Sequence, residues 1–431
     1  MGVGLAALTR LAGSRTLDRA GLRQPVQNLL SSATRTGFRA AGAASRTFAS
    51  ARRLGKPARL APPGDSGLFD VTPGEDQQLI VETVSEFAAE QLRPAAAEAD
   101  AKLAPPDGLL TRVAELGVGL IGIPEELGGA GSERSVVTNA LIAEALAHGD
   151  LGLAVAVLAP SAVSTALVLW GDAQQQADYL PAFVGDDVPA AAFALQEARP
   201  LFDPFKPATK ARRTPSGYQL DGVKSLVPRA AQAELFVVSA DLEGRGPALF
   251  LIESATTGVT VEAEPAMGLR GAATGKLHLE KVKLPAGALL GGGSPEVFTE
   301  AVRLSRLGWA ALAAGTAKAV LDYVVPYVND RTAFGEPISH RQAVAFSVAD
   351  IAIELEGLRL VMLRAASRAE QGKPYAREVA LARKLATDKG MRIGSAGVQL
   401  LGGHGFTKEH PVERWYRDLR AIGIAEGVVL L

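Results

Sequence analysis

The sequence predicts a multidomain α+β protein: an N-terminal α-helical domain, a central antiparallel β-domain and a C-terminal four-helix bundle. Three observations carry that expectation. Helical spacing of apolar residues runs from Thr72 to about Phe183, and short β-type runs bounded by turn residues take over near Ala190. Helical spacing then returns from Pro295. No Gly-x-Gly-x-x-Gly follows a strand, so this order does not read as a nucleotide-binding βαβ repeat. A chain of 431 residues is expected to form two or three packed domains rather than one core.

Taken in order, Thr72-Pro-Gly-Glu-Asp-Gln-Gln is a capping-type helix start with acids in the first turn, and Val84, Phe87, Ala88 and Leu92 continue its apolar stripe. Ile123-Pro-Glu-Glu-Leu-Gly-Gly-Ala-Gly131 reads as a Gly-rich loop between helices. Leu151 to Trp170 is an uncharged run of twenty residues, long enough to span a bilayer. Pro160, Ser161, Ser164 and Thr165 interrupt it and no basic flank follows, so it is expected to be a buried helix pair and not a membrane span. Tyr218–Gly222 reads as a strand and turn. Leu235–Ser239, Ala248–Ile252, Val259–Glu262 and Lys276–Val282 continue the β pattern. Helices are expected over 296–328, 339–371, 375–401 and 411–420. The resulting division is a basic helical extension and linker at 1–68, a helical domain at 69–188, a β-domain at 189–294 and a helical bundle at 295–431.

Composition removes several chemistries. With no cysteine there is no disulfide, thiolate metal site, iron–sulfur cluster or catalytic thiol. The five histidines show no metal-ligand spacing, and His404 and His410 read as ordinary polar residues. The net charge of −1 conceals an asymmetry: residues 1–60 carry ten Arg and one Lys against the single acid Asp18. Such a segment is either a mitochondrial transit peptide or a basic amphipathic helix. Its helical spacing and the Ala/Gly/Arg bias of the whole chain favour retained helices and a bacterial, cytoplasmic protein, with residues 1–55 in peripheral contact with a membrane. A matrix location follows if it is a transit peptide. Without interleaved aromatics, these basic residues do not predict nucleic-acid binding.

Several motifs in the right order carry a family resemblance over residues 71–427. They are Ile123–Gly131, Gly171-Asp-Ala-Gln-Gln-Gln-Ala-Asp-Tyr-Leu-Pro181, Met267-Gly-Leu-Arg-Gly-Ala-Ala-Thr274, Arg331-Thr-Ala-Phe-Gly-Glu-Pro-Ile338 with Gln342, Gln399-Leu-Leu-Gly-Gly-His-Gly-Phe406, Pro411-Val-Glu-Arg-Trp-Tyr-Arg-Asp418 and Ala425-Glu-Gly427. Together they resemble acyl-CoA dehydrogenases. The resemblance implies FAD-dependent oxidation of an acyl-CoA thioester to the trans-2-enoyl-CoA. A carboxylate takes the α-proton and hydride passes to flavin N5, with an electron-transfer flavoprotein as acceptor. It implies Glu426 as the base, Arg306 shaping the base's surroundings, and Ser305 at the position where some relatives carry the base on an earlier helix. Arg331, Phe334, Gln342, Gln399, Gly402 and Gly403 match segments that reach FAD in a neighbouring subunit, which implies a homo-oligomer, dimer or tetramer. The local alternative for Gly402 and Gly403 is a helix C-cap.

The flavin side departs from the family pattern. Gln196-Glu-Ala-Arg-Pro-Leu-Phe-Asp203 stands where the family has Thr-Glu-Pro-Gly-x-Gly-Ser-Asp, and Lys224-Ser-Leu-Val-Pro-Arg229 where it has Lys-x-Trp-Ile-Thr-Asn. Gln196, Leu226 and Pro228 are therefore the expected flavin contacts, the last without hydroxyl or N–H. Arg199, Ala425 and Gly427 are expected at the substrate, Arg199 in place of a hydroxyl lost at Phe202. The chain runs only Val-Val-Leu-Leu beyond Gly427, without the family's following polar segment. These departures sustain two competing readings, a non-catalytic dehydrogenase-like subunit or scaffold and a related flavin oxidase.

Overall fold

The computed structural model describes residues 72–130, 135–185 and 187–427. The expectations for the basic segment 1–68, its membrane contact, and the residues after Gly427 fall outside this range. Helix α1 (Glu75–Phe87) starts at Gly74, whose N–H donates to the Gln77 side chain at 3.0 Å, and not at Thr72. A π-turn at Ala88–Leu92 leads into α2 (Arg93–Lys102), followed by α3 (Leu109–Glu115). Two buried helices follow, α4 (Val136–Gly149) and α5 (Leu151–Trp170), and then α6 (Ala173–Phe183). The expected helix pair is a single helix: α5 runs unbroken through Pro160. Losing a helical hydrogen bond there costs about 3 kcal/mol or more. Burial of Leu151, Leu153, Val163 and Leu167 against surrounding elements offsets it. The apolar run is thus a core helix, buried over most of its length, with Leu169 near its end exposed.

The β-domain comprises β1 (Ala191–Ala194), β2 (Lys210–Thr214), β3 (Gly217–Val227), β4 (Leu235–Leu242), β5 (Gly246–Glu253), β6 (Val259–Ala263), β7 (Gly275–Pro285) and β8 (Leu289–Leu290). Its strand order is β6-β7-β3-β2-β4-β5-β8, with β1 also on β4. Most pairings are antiparallel as expected, but β4 takes both β1 and β2 in parallel, so the sheet is mixed. Strand β3 also passes the turn expected at Gly222. The register shifts there against β7, and a Cβ at Gly222 would lie 2.6 Å from Thr209 Oγ1, so the glycine marks a bulge.

Strands β4 and β5 are apolar on both faces because each face has its own partner. Phe236, Val238, Ala240, Phe250 and Ile252 fill the interior of the β-domain. The alternate residues Leu235, Val237, Leu249 and Leu251 pack on Val163 and Leu167 of α5 and Phe298 and Val302 of the next helix. That helix, α7 (Pro295–Asp330), opens the bundle and is joined by α8 (Gln342–Glu370), α9 (Ala376–Leu401) and α10 (Val412–Ala421). A small hairpin, β9 (Thr332–Ala333) with β10 (Glu336–Pro337), links α7 to α8. Helix α7 lies so close to α4 that a Cβ at Gly315 would come within 2.0 Å of Glu144 O. The flanking Ala310, Ala311, Ala313, Ala314 and Ala317 allow that approach.

Helix α10 ties the domains together. Its Asp418 accepts the Leu269 N–H at 2.7 Å, Arg417 binds Asp100 at 2.7 Å and Met267 O at 2.8 Å, and Arg414 binds Asp150 at 3.0 Å. Two segments singled out separately in the sequence, Met267–Thr274 and Pro411–Asp418, thus meet. Burial and the neighbouring Asp150 push the Asp418 carboxyl up to about 7, against the Leu269 N–H, Arg417 and Arg414. Its folded value lies above its unfolded one, so the folded state holds the proton more tightly. Stability falls as pH rises from about 4 to about 7, and the cost persists above that. Asp418→Asn is expected to lose less urea resistance than the wild type between pH 5 and pH 8. Equal losses would show that Asp418 does not titrate in this window.

Candidate active site

A cavity of about 280 Å³ opens between the helical domains and the end of the sheet. Its walls come from α4 and α5, the ends of β1 and β3, α7, and the C-terminal Ala425 and Glu426. The bulk of this lining is apolar, set by small residues such as Ala140, Ala143 and Gly308 beside Phe193, Leu304 and Leu312.

Glu426 is 6% exposed. Its backbone is left-handed (φ 59°), an uncommon state for a residue with a Cβ and one that surrounding structure must hold in place. Gly427 supplies part of that hold: it has φ 95°, and a Cβ there would sit 2.5 Å from Phe202 O. Phe202, 1% exposed, is therefore the floor under the Glu426–Gly427 turn. Arg383 of α9 adds a second hold, donating to Ala425 O and, at 3.1 Å, to Gly427 O. Glu426 Oε1 accepts from Ser305 Oγ and, at 3.0 Å, from Trp309 Nε1, both on α7. Oε2 is buried without a hydrogen-bond partner. Burial pushes the Glu426 carboxyl up from its usual value, opposed by Ser305, the Arg383 and Arg306 charges, and Trp309. A desolvated carboxylate with one free oxygen at an apolar cavity is suited to removing a proton from carbon.

The sequence-predicted residues divide into three groups. Glu426, Ala425, Gln196, Leu226 and Pro228 line the cavity together. Arg306, Arg199 and Gly427 stand outside its lining. Arg306 lies 5.9 Å from the Phe205 ring with Nε buried and unpartnered, reaching Glu426 through charge alone. Arg199 is spent on the fold, 3.6 Å from Glu197, stacked at 5.5 Å on Phe202 and donating to Lys206 O. Arg331, Phe334, Gln342, Gln399, Gly402 and Gly403 are exposed on the bundle surface, Phe334 at 96%. Gly402 caps the end of α9 with φ 57°, and among the described residues nothing would meet a Cβ at either Gly402 or Gly403. His404 and His410, read separately in the sequence, stack at 5.4 Å, each bound through Nδ1 to a tyrosine of α7.

Behind the flavin-side wall, Lys224 (0% exposed) donates to Glu197 at 2.8 Å and to Ser239 at 2.9 Å. Burial takes the Lys224 ammonium down to about 8 against the pull of Glu197. This pair anchors the two segments that carry Gln196 and Leu226. The Oε1 of Gln196 is buried and unpartnered at the cavity. An unpartnered carboxamide oxygen beside apolar walls fits a donor edge of a polar aromatic ring system such as a flavin. Reading the sequence missed Trp309 and Arg383. Trp309 was within reach, since it lies four residues from Ser305 and so on the same helical face. Nothing local marks Arg383.

Comparison with known proteins matches the chain, domain by domain, to one family. Three family models match in order: "Acyl-CoA dehydrogenase, N-terminal domain" over residues 74–187, "Acyl-CoA dehydrogenase, middle domain" over 192–282 and "Acyl-CoA dehydrogenase, C-terminal domain" over 295–428. The chain is 33% identical over 361 residues to the mitochondrial short-chain specific acyl-CoA dehydrogenase of Bos taurus, covering 82% of this chain and 87% of that one. Among solved structures, butyryl-CoA dehydrogenase from Megasphaera elsdenii matches at TM-score 0.78 and 29% identity, over 84% of this chain and 97% of that one. A chain in the structure described as electron transferring flavoprotein of Acidaminococcus fermentans matches at TM-score 0.77 and 31% identity, over 84% and 96%.

Proposed function

The chain belongs to the acyl-CoA dehydrogenase family of flavoprotein oxidoreductases, and from that membership we propose that it converts an acyl-CoA thioester to the trans-2-enoyl-CoA with FAD as cofactor. The observation that carries the reading is Glu426, buried at an apolar cavity with Oε2 unpartnered. FAD, when bound, supplies the hydride acceptor for the substrate β-carbon. Gln196, Leu226 and Pro228 would hold its ring. The chain's own part is to keep water out, align the thioester and take the α-proton on Glu426 Oε2 as the Cα–H bond breaks. Arg383 and Arg306 favour the ionised base and partly oppose the burial that favours its neutral form.

The exposed Arg331, Phe334, Gln342, Gln399, Gly402 and Gly403 support an oligomer in which they meet FAD held by a second copy. An arginine fork suits a pyrophosphate, and an unhindered Gly403 suits close approach of a ligand. An electron-transferring flavoprotein is the proposed electron acceptor, supported by the likeness to a structure described by that name. Relatives include mitochondrial and bacterial enzymes, which supports a matrix or cytoplasmic site of action.

The test is the visible spectrum of the purified protein, before and after anaerobic addition of acyl-CoA thioesters of several chain lengths. An oxidised-flavin spectrum that bleaches is expected. A flavin spectrum indifferent to every thioester would favour an oxidase on this fold. A protein that stays colourless after FAD is added would favour the non-catalytic subunit, for which Leu226 and Pro228 in the flavin wall already speak.

A further inference from the structure

The carboxylate of Glu426 is held asymmetrically. Both donors within hydrogen-bond reach, the Ser305 hydroxyl and the Trp309 indole N–H, converge on Oε1, and Oε2 receives neither. Ser305 and Trp309 are one helical turn apart on α7, so a single rigid helix presents both donors, and α7 is held closely against α4 at Gly315. The indole also lines the cavity beside Gly308 and Leu312. Its position there is fixed by the helix and not by a loop.

We propose that Trp309 is a positioning residue whose indole N–H, with the Ser305 hydroxyl, pins Oε1 of Glu426 and thereby turns Oε2 to the cavity as the oxygen that accepts the proton. The inference rests on the reading of Glu426 as the base. An indole is a donor only, so it bonds the carboxylate in its charged form and cannot accept a proton back from it. Fixing one oxygen leaves the carboxylate a single orientation, which reduces the freedom that must be lost before proton transfer. The charged groups facing the carboxylate are Arg306 from α7 and Arg383 from α9, and neither gives it a hydrogen bond. Trp309 and Ser305 therefore set its direction while the arginines set the field.

Trp309→Phe keeps an aromatic ring in the wall and deletes the donor, at the cost of some side-chain volume. Because the lost hydrogen bond favoured the charged carboxylate, the acid limb of the kcat/KM profile is expected to move up by about one pH unit, roughly tenfold in proton affinity, with the alkaline plateau retained within a fewfold. An acid limb that stays in place would overturn the proposal. The second readout needs no turnover. The chain has three tryptophans, so ¹⁵N-indole spectra of the full chain contain few signals, and Trp309→Phe identifies the one that matters. That indole proton is expected to shift as Glu426 ionises, and to stop shifting in Glu426→Gln. An indole signal indifferent to pH would likewise overturn the contact. If the wild type turns over no thioester, the proposed reaction fails, while the indole titration still decides whether Trp309 holds Glu426.

Discussion

Glu426→Gln is expected to lower the rate of flavin reduction by an acyl-CoA by at least roughly 10²–10⁴-fold, while the purified variant still carries flavin. Glutamine is isosteric and can accept the Ser305 and Trp309 hydrogen bonds through its carbonyl oxygen, so the local geometry is kept. What it lacks is the basic Oε2. Stopped-flow absorbance under anaerobic conditions separates the outcomes, because binding and chemistry are read in the same trace. A variant that bleaches at the wild-type rate would remove Glu426 from the chemistry. The pH dependence has a definite sign. Burial raises the carboxyl above its usual range, and only the ionised form is a base, so the wild-type rate is expected to fall as pH drops through that raised value.

The largest expected effect on stability is at Lys224. Lys224→Met removes one partner of a buried pair and leaves the Glu197 carboxylate, 4% exposed, facing a thioether. Breaking such a pair from one side costs up to about 3–5 kcal/mol, because the remaining charge loses its buried counterion and cannot reach water. Arg199, 3.6 Å from Glu197, remains as a cationic partner and lessens the cost. Glu197 keeps bonds from Ala208 N at 2.7 Å and Thr209 N at 2.9 Å, which soften the loss without neutralising the charge. Urea denaturation should show a clear drop in midpoint, and Lys224→Met with Glu197→Gln should recover part of it. A single variant as stable as the wild type would mean that Glu197 takes up a proton, or is compensated by Arg199, at little cost. Since the pair anchors the segments holding Gln196 and Leu226, weakened flavin retention is expected alongside.

Much of this was legible in the sequence because it depends on local pattern. The four helices of the bundle fall within a few residues of their expected limits, since a 3.6-residue apolar period and its caps are properties of neighbouring residues. Glu426, Ala425, Gln196, Leu226 and Pro228 were all named from motif position and do line one cavity. The misreadings share a cause. Pro160 predicted a break in α5 and Gly222 a turn, but burial on both sides of the helix and pairing with β7 overrode the local preference. The parallel partners of β4 join segments distant in sequence, which no local run of residues encodes.

By itself, then, the sequence determined the order of helical and β regions and the family, and it singled out Glu426, the carboxylate that the proposed reaction uses. Only the tertiary structure decided which oxygen of that carboxylate is free, that Arg199 is consumed by Glu197 and Phe202, and that Phe202 supports Gly427. It also brought Arg383 to the base across 43 residues of chain. The physical reason is one of range. Periodicity, capping and turn chemistry act over a few residues, whereas desolvation, ion pairing and the direction of a hydrogen bond depend on which distant groups packing brings within a few ångströms.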